Sequence, residues 1–192
     1  MHWNIPNLLT WMRIALIPLF AAVFYLPATW FPPAWANLTA TAIFAVAALT
    51  DWLDGYLARA LNQTSSFGAF LDPVADKLMV AAALIVLVEL GRVNGLIALI
   101  IVGREITISA LREWMAVIGQ SKSVAVSFVG KIKTATQMVA ILLLLYSDNF
   151  VQAIETKQIG TWLMYLAALL TLWSMAYYLK AALPVIAKMG GR

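Results

Sequence analysis

Residues 51–76 read DWLDGYLARALNQTSSFGAFLDPVAD, and they hold four of the nine acidic residues in the 192-residue chain. Asp51 and Asp54 are three residues apart, and Asp72 and Asp76 are four apart. Because an α-helix brings residues three or four apart onto one face, each pair of carboxylates shares a face of its helix. The short polar run between the pairs predicts a linker between two antiparallel helices. All four carboxylates are therefore expected near one end of the same helix pair.

The two acidic pairs lie where apolar stretches end and begin. The chain contains six such stretches, each long enough for a membrane-spanning helix, which needs about 20 residues. They are Leu8–Pro27, Ala34–Asp54, Phe70–Leu90, Val93–Trp114, Val124–Tyr146 and Ile159–Leu183. The pattern predicts an all-α integral membrane protein with six transmembrane helices.

Composition indicates that lipid rather than water surrounds most of the chain. Hydrophobic residues make up 63% of it and charged residues 11%, and the mean hydropathy is +0.87. A soluble domain has about 25% charged residues. Six spans leave no room for a separate soluble domain. The absence of cysteine excludes disulfides, iron–sulfur clusters and thiolate zinc sites.

Lysine and arginine residues near the helix ends predict the orientation of the spans. With six spans both termini lie on one side, and that side holds most of the basic residues. They are Arg13, Arg59, Lys77, Arg112, Lys122, Lys131, Lys133, Lys180, Lys188 and Arg192. The other side holds Arg92 and Lys157. Both termini are therefore expected in the cytoplasm, and Glu89 is expected to pair with Arg92 at the opposite surface.

Four carboxylates in so short a segment repel one another, and the repulsion is poorly screened beside lipid. Divalent cations with oxygen ligands would neutralise them, and Mg²⁺ or Mn²⁺ commonly pairs carboxylates with substrate phosphates. Gly55 and Gly68 flank the pairs and leave room for a ligand. The guanidinium of Arg59 suits a phosphate or a base edge. The segment therefore predicts a metal site that handles a phosphorylated substrate.

Two other interpretations of the aspartates are weaker. Solvated helix ends would explain Asp72 and Asp76 near a helix N-terminus, but not Asp51 and Asp54 toward a C-terminus, where negative charge is unfavourable. A cation or proton transporter is the second alternative, because carboxylates inside a membrane also mark ion pathways. Transporters place them near the bilayer midplane, whereas these lie at one surface beside a polar linker.

The spacing of the whole segment resembles a known family signature. The pattern is Asp51-x-x-Asp54-Gly55-x-x-Ala58-Arg59, eight residues, then Gly68-x-x-x-Asp72-x-x-x-Asp76. With every position filled, it resembles the signature of the CDP-alcohol phosphatidyltransferases. Segments 4–10 with Arg13, 103–113 and 130–134 are similar to the bacterial branch of this family that acts on glycerol 3-phosphate.

The resemblance implies a single domain over residues 1–192 with the six-helix fold of the family, which is usually dimeric. It implies two divalent ions, Mg²⁺ or Mn²⁺, held by Asp51, Asp54, Asp72 and Asp76. It implies that Asp76 is also the general base. It implies that the CDP-lipid binds at Gly55, Ala58, Arg59, Ser65 and Gly68.

The implied reaction moves the phosphatidyl group of CDP-diacylglycerol to sn-glycerol 3-phosphate, giving phosphatidylglycerophosphate and releasing CMP. Sibling enzymes with the same signature use inositol phosphate, phosphatidylglycerol or serine as the acceptor, and the signature alone does not separate them. The implied location is the bacterial inner (cytoplasmic) membrane, with the active site on the cytoplasmic side. A nucleic-acid partner is not expected.

An acceptor with its own phosphate needs a cationic pocket. Arg104 and Arg112 are eight residues apart, so they lie within a quarter-turn of each other around the fourth helix. Lys131 opens the fifth helix, and these three residues are expected to bind the acceptor phosphate. Lys133 points away from Lys131, so one of the two lysines is expected to serve the pocket.

Structural alternatives remain open for these basic residues and for the first helix. The basic residues can anchor loops at the membrane surface, or they can pair with Glu105 or Glu113. By the resemblance, Asn7, Thr10 and Arg13 border the nucleotide or acceptor cavity. A helix cap and a snorkelling arginine are the alternatives for them.

Overall fold

A computed structural model describes residues 5–60, 66–120, 128–147 and 155–190. Side chains are described for 8–51, 53, 68, 70–120, 130–147 and 155–187. The described residues form six α-helices and no strand. The helices are α1 Ile5–Ala22, α2 Pro33–Ala60, α3 Ser66–Glu89, α4 Gly95–Val117, α5 Phe128–Tyr146 and α6 Thr156–Gly190. The predicted all-α fold is confirmed.

Each predicted apolar stretch overlaps one helix, but several helices extend beyond their stretch. α2 continues to Ala60, so Asp51 and Asp54 lie inside a helix rather than at its end. α3 begins at Ser66, which places Asp72 and Asp76 in its second and third turns. Polar residues continue these helices past the apolar run, and the acidic pairs are therefore held on regular helical backbone.

The outer surface of the bundle is apolar. By length and composition, three helical segments are able to cross a membrane: Leu8–Tyr25, Pro33–Asp51 and Thr156–Ala187. On α3 and α4, Ile85 and Leu99 are 65% and 67% exposed. Soluble proteins rarely expose large contiguous apolar patches. This surface indicates contact with lipid, as in a membrane protein.

The helices meet around one shared core. α1 packs against α2 and α3, α4 against α3 and α6, and α5 against α6 and α2. Five of the helices contribute a large buried side chain to it, namely Phe20, Phe44, Leu84, Ile101 and Leu144. In a bilayer such packing depends on close van der Waals contact more than on exclusion of water.

Arg92 ties the turn between α3 and α4 to the rest of the bundle. Its guanidinium donates hydrogen bonds of 3.0 and 2.8 Å to the carbonyl oxygens of residues 144–145, in the last turns of α5. It also donates to Oδ1 of Asn37 at 2.8 Å. A cation is favourable at the C-terminal end of a helix. Glu89 accepts a hydrogen bond from the hydroxyl of Tyr25, and its expected pairing with Arg92 stays a prediction.

Gly160 allows α6 to approach α5 closely. A Cβ atom at this position would lie 2.9 Å from Cγ of Leu144 and 3.2 Å from Cβ of Leu143. Leu144 is fully buried in the core, so it has little room to move. Small residues commonly permit close approach of helices in membranes.

We predict that Gly160→Val lowers the free energy of unfolding by about 1–3 kcal/mol, because it overpacks the contact with Leu144. Thermal unfolding in detergent should show a lower Tm. Gly95→Val is the matched control, since the nearest atom to its Cβ is a side-chain carbon 3.8 Å away. Equal Tm values for the two variants would contradict the close approach of α5 and α6.

Candidate active site

Three aspartates have described side chains, and they lie on α2 and α3. Asp51 lies on α2 and its side chain is 40% exposed. Asp72 and Asp76 lie one turn apart on α3, and both are partly buried. Antiparallel α2 and α3 therefore present carboxylates toward the same region, as the spacing predicts.

The first helix supplies the groups that hold two of these carboxylates. Arg13 is 1% exposed, and its guanidinium donates to Oδ1 of Asp51 at 2.5 Å. Thr10 is fully buried, and its hydroxyl donates to Oδ1 of Asp72. These two α1 residues are three positions apart, so they share one helix face. That face of α1 fixes carboxylates of both α2 and α3.

Charged side chains of α1, α2 and α4 act on the carboxylate of Asp76. It lines a cavity together with Arg13, Asp51 and Met138, so residues of α1, α2 and α5 surround it. It interacts electrostatically with Asp51 and Arg13, and also with Glu105 of α4. Asp76 is thus within electrostatic reach of both charged regions of the bundle.

Several predicted site residues lie outside the described side chains. They are Asn7, Asp54, Gly55, Ala58 and Arg59, and Ser65 lies outside the described residues altogether. Gly68 is described and buried near the start of α3. Their roles stay predictions from the sequence.

The donor chemistry fits a divalent metal ion. Asp51 and Asp76 line one cavity, and Asp72 lies one turn from Asp76. Among the described side chains, no three acidic or histidine residues form a group able to hold an ion by themselves. Mg²⁺ and Mn²⁺ commonly share one or two carboxylates with substrate phosphates. The described carboxylates fit that arrangement better than an ion enclosed by protein.

A second charged cluster is centred on Arg104 of α4, which is 8% exposed. Its guanidinium donates a 2.9 Å hydrogen bond to Oγ of Ser174 and lies 5.5 Å from the ring centre of Tyr178. Both partners belong to α6. The carboxylate of Glu105 is 3.7 Å away. Cation–π contact and hydrogen bonding thus hold this buried arginine in one orientation.

Lys133 joins the same cluster from α5. It is 2% exposed and forms an ion pair with Glu105. Lys131, two residues earlier, is exposed. The two lysines therefore lie on opposite sides of α5, as their spacing predicts, and Lys133 is the one directed into the bundle.

The predicted acceptor pocket is only partly brought together. Glu105 links Arg104 to Lys133, which agrees with the alternative that an adjacent glutamate pairs with these cations. Arg112 and Lys131 are exposed, and within the described part of the chain no hydrogen bond or ion pair joins them to this cluster. Burial therefore separates residues that the helical spacing alone had grouped.

Sequence reasoning missed two side chains of the cluster and one buried glutamine on the same helix as Lys133. Ser174 and Tyr178 contact Arg104, and Gln137 lies one turn after Lys133 on α5. A polar residue inside an apolar span is the signal that would have found Gln137 and Ser174. Pairing Ser174 with Arg104 required knowledge of how the helices pack.

A family model of the CDP-alcohol phosphatidyltransferases matches residues 3–173. The chain belongs to the CDP-alcohol phosphatidyltransferase family. The match includes both pairs of aspartates and reaches well into α6. Members of this family generally depend on a divalent metal ion.

Two curated relatives align with nearly the whole length of this chain. They are the CDP-diacylglycerol–glycerol-3-phosphate 3-phosphatidyltransferases of Escherichia coli strain K12 and of Shigella flexneri serotype 5b strain 8401. Each is 53% identical over 184 residues, which span 95% of this chain and 96% of the relative. The similarity thus extends far beyond the signature.

We predict that Thr10→Val lowers turnover by about tenfold, because Asp72 loses a buried hydrogen bond that orients it. Thr10→Ser should restore most of the activity, since it keeps the hydroxyl. Thr161→Val is the control, because that hydroxyl bonds to the carbonyl oxygen of Lys157 within α6. Turnover of CDP-diacylglycerol in detergent checks this. Full activity in Thr10→Val would show that Asp72 needs no partner from α1.

Proposed function

We propose that this protein transfers the phosphatidyl group of CDP-diacylglycerol to sn-glycerol 3-phosphate, giving phosphatidylglycerophosphate and CMP. The observation that carries the proposal is the junction of two charged clusters within one bundle. Carboxylates of α2 and α3 suit a metal-bound diphosphate, and buried cations of α4 and α5 suit a second phosphate. The carboxylates of Asp76 and Glu105, one from each cluster, lie close enough to repel each other. The names of the two relatives agree with a donor and an acceptor that both carry phosphate.

On the donor side, four aspartates would hold two divalent ions, Mg²⁺ or Mn²⁺: Asp51, Asp54, Asp72 and Asp76. When bound, such ions polarise the diphosphate and neutralise the charge that develops on the leaving CMP. The CDP part of the donor would lie against Gly55, Ala58, Arg59, Ser65 and Gly68. Arg13 and Thr10 keep two of the carboxylates in place for this role.

On the acceptor side, Arg104 and Lys133 bind the phosphate of glycerol 3-phosphate. Both are buried, and the structure already holds them close to a carboxylate, that of Glu105. An arginine suits a phosphate because its planar fork makes two hydrogen bonds. Arg112 and Lys131 lie at the exposed rim, where they attract the anionic acceptor.

The chemical step needs a base. It also needs the attacking hydroxyl oxygen and the bridging oxygen that leaves to be aligned on either side of the phosphorus. Asp76 accepts the proton of the terminal hydroxyl of the acceptor as that oxygen attacks the phosphorus of the phosphatidyl group. The new phosphorus–oxygen bond replaces the bond to the bridging oxygen, and CMP leaves with the electron pair. The proton then passes from Asp76 to solvent.

We also propose the domain organisation, membrane location and oligomeric state of the enzyme. Residues 1–192 form a single domain that crosses the bacterial inner membrane several times, with both termini and the active site in the cytoplasm. The enzyme is a homodimer. The excess of lysine and arginine on one side supports this orientation.

Metal removal tests the donor side. CMP release from CDP-diacylglycerol and glycerol 3-phosphate should require Mg²⁺ or Mn²⁺ and stop with chelator. Asp72→Asn should lower turnover by about a hundredfold, because it weakens an ion ligand. Glu89→Gln, at an exposed residue bonded to Tyr25, is the control and should leave turnover unchanged. Undiminished CMP release after exhaustive metal removal would contradict the proposal, and ion flux without CMP would favour a transporter.

The two lysines of α5 test the acceptor side. Lys133→Met should raise the KM for glycerol 3-phosphate at least about tenfold, since a hydrogen bond to a charged group is lost, and leave the KM for CDP-diacylglycerol unchanged. Lys131→Met should change the acceptor KM by less than about threefold, because exposed charges contribute little. Equal effects of the two variants would contradict this assignment.

An acceptor panel decides between the sibling reactions. The wild-type enzyme should use glycerol 3-phosphate and reject serine, whose lack of a phosphate leaves the buried cations unpaired. Preference for inositol phosphate or phosphatidylglycerol would overturn the proposed reaction and leave the family membership intact.

A further inference from the structure

We propose that Gln137 binds the middle hydroxyl of the acceptor and so helps to select glycerol 3-phosphate, an inference that rests on the proposed function. The side chain of Gln137 is 3% exposed. Its Oε1 is buried and, within the described part of the chain, has no hydrogen-bond partner. The proposal assigns that partner to the substrate.

An unpaired amide oxygen is unfavourable where Gln137 lies. A buried acceptor without a donor loses its hydrogen bonds to water and gains nothing in return. Inside a membrane bundle, lipid supplies no replacement donor. A methionine or leucine of similar volume would fill the same space without this cost. The amide therefore indicates a ligand that brings its own donor.

Gln137 lies on α5 close to Lys133, one of the proposed phosphate-binding residues. It follows Lys133 by four residues, so the two side chains share the inner face of α5 at a rise of about 6 Å. The next residue, Met138, lines the cavity that contains Asp76. Lys133 also interacts electrostatically with Asp76. α5 thus presents the buried amide about one helical turn from a proposed phosphate-binding cation, and the residue next to it lines the cavity of the proposed base.

Glycerol 3-phosphate has one polar group for each of these proposed partners. Glycerol 3-phosphate carries a phosphate at one end, the attacking hydroxyl at the other, and a secondary hydroxyl between them. With the phosphate at Arg104 and Lys133 and the attacking hydroxyl at Asp76, the secondary hydroxyl is directed at groups between these sites. Its O–H donates to Oε1 of Gln137.

The test uses an acceptor that lacks only the middle hydroxyl. 3-Hydroxypropyl phosphate keeps the phosphate and the terminal hydroxyl. The wild-type enzyme should prefer glycerol 3-phosphate by about tenfold in kcat/KM, which is the expected value of one buried hydrogen bond. In Gln137→Met this preference should fall to within twofold of unity, with the KM for CDP-diacylglycerol unchanged and the Tm equal or higher.

The controls separate this inference from a structural role. Gln158→Met replaces an exposed glutamine at the start of α6 and should keep the full preference. Gln137→Leu is the second variant, should the methionine variant not fold. Wild-type enzyme that uses both acceptors equally well would overturn the inference without any variant. A preference that survives in Gln137→Met or Gln137→Leu would overturn it too, and the amide would then bind a structural water.

The outcomes also distinguish this inference from the proposed function. Transfer to glycerol 3-phosphate by the wild-type enzyme, combined with no role for Gln137, would remove the inference and keep the reaction. Absence of any transfer to glycerol 3-phosphate would remove both.

Discussion

Every charge placed inside an apolar bundle needs an opposite charge or a hydrogen-bond partner nearby, because lipid provides neither. In this protein the requirement is met by a few contacts between helices. Arg13 of α1 binds Asp51 of α2, and Lys133 of α5 binds Glu105 of α4. Each contact joins two helices and fixes the side chains that face the proposed substrates. The same contacts therefore hold helices together and prepare the site.

Each of the two charged clusters suits the binding of one of the two anionic substrates. The carboxylate cluster would repel phosphate by itself, so it suits a donor that is bound through metal ions. The cationic cluster attracts phosphate directly and suits the acceptor. Asp76 lies within electrostatic reach of Asp51 on one side and Glu105 on the other. A base that takes the proton of the attacking hydroxyl is needed at such a position, between the two bound substrates.

The sequence predicts the number and kind of helices because six apolar runs of suitable length leave few alternatives. The aspartates are equally apparent, since their spacing alone places them on shared faces. Helical spacing also separates Lys131 from Lys133, but only the packed bundle shows that Lys133 faces Glu105. Spacing places Arg112 and Arg104 on similar sides of α4, but only the packed bundle shows that Arg104 is buried and Arg112 exposed. The contacts of Arg104 with Ser174 and Tyr178 join residues 70 or more positions apart, and no local pattern encodes them.

We propose that the carboxylates of Asp51 and Asp72, which α1 fixes, hold the divalent ions together with Asp76. Anomalous diffraction from crystals grown with Mn²⁺ and CDP-diacylglycerol tests it most directly. The account predicts manganese peaks within about 2.3 Å of carboxylate oxygens of Asp51, Asp72 and Asp76. Manganese bound only elsewhere on the protein, or no peak beside these three carboxylates, would contradict it.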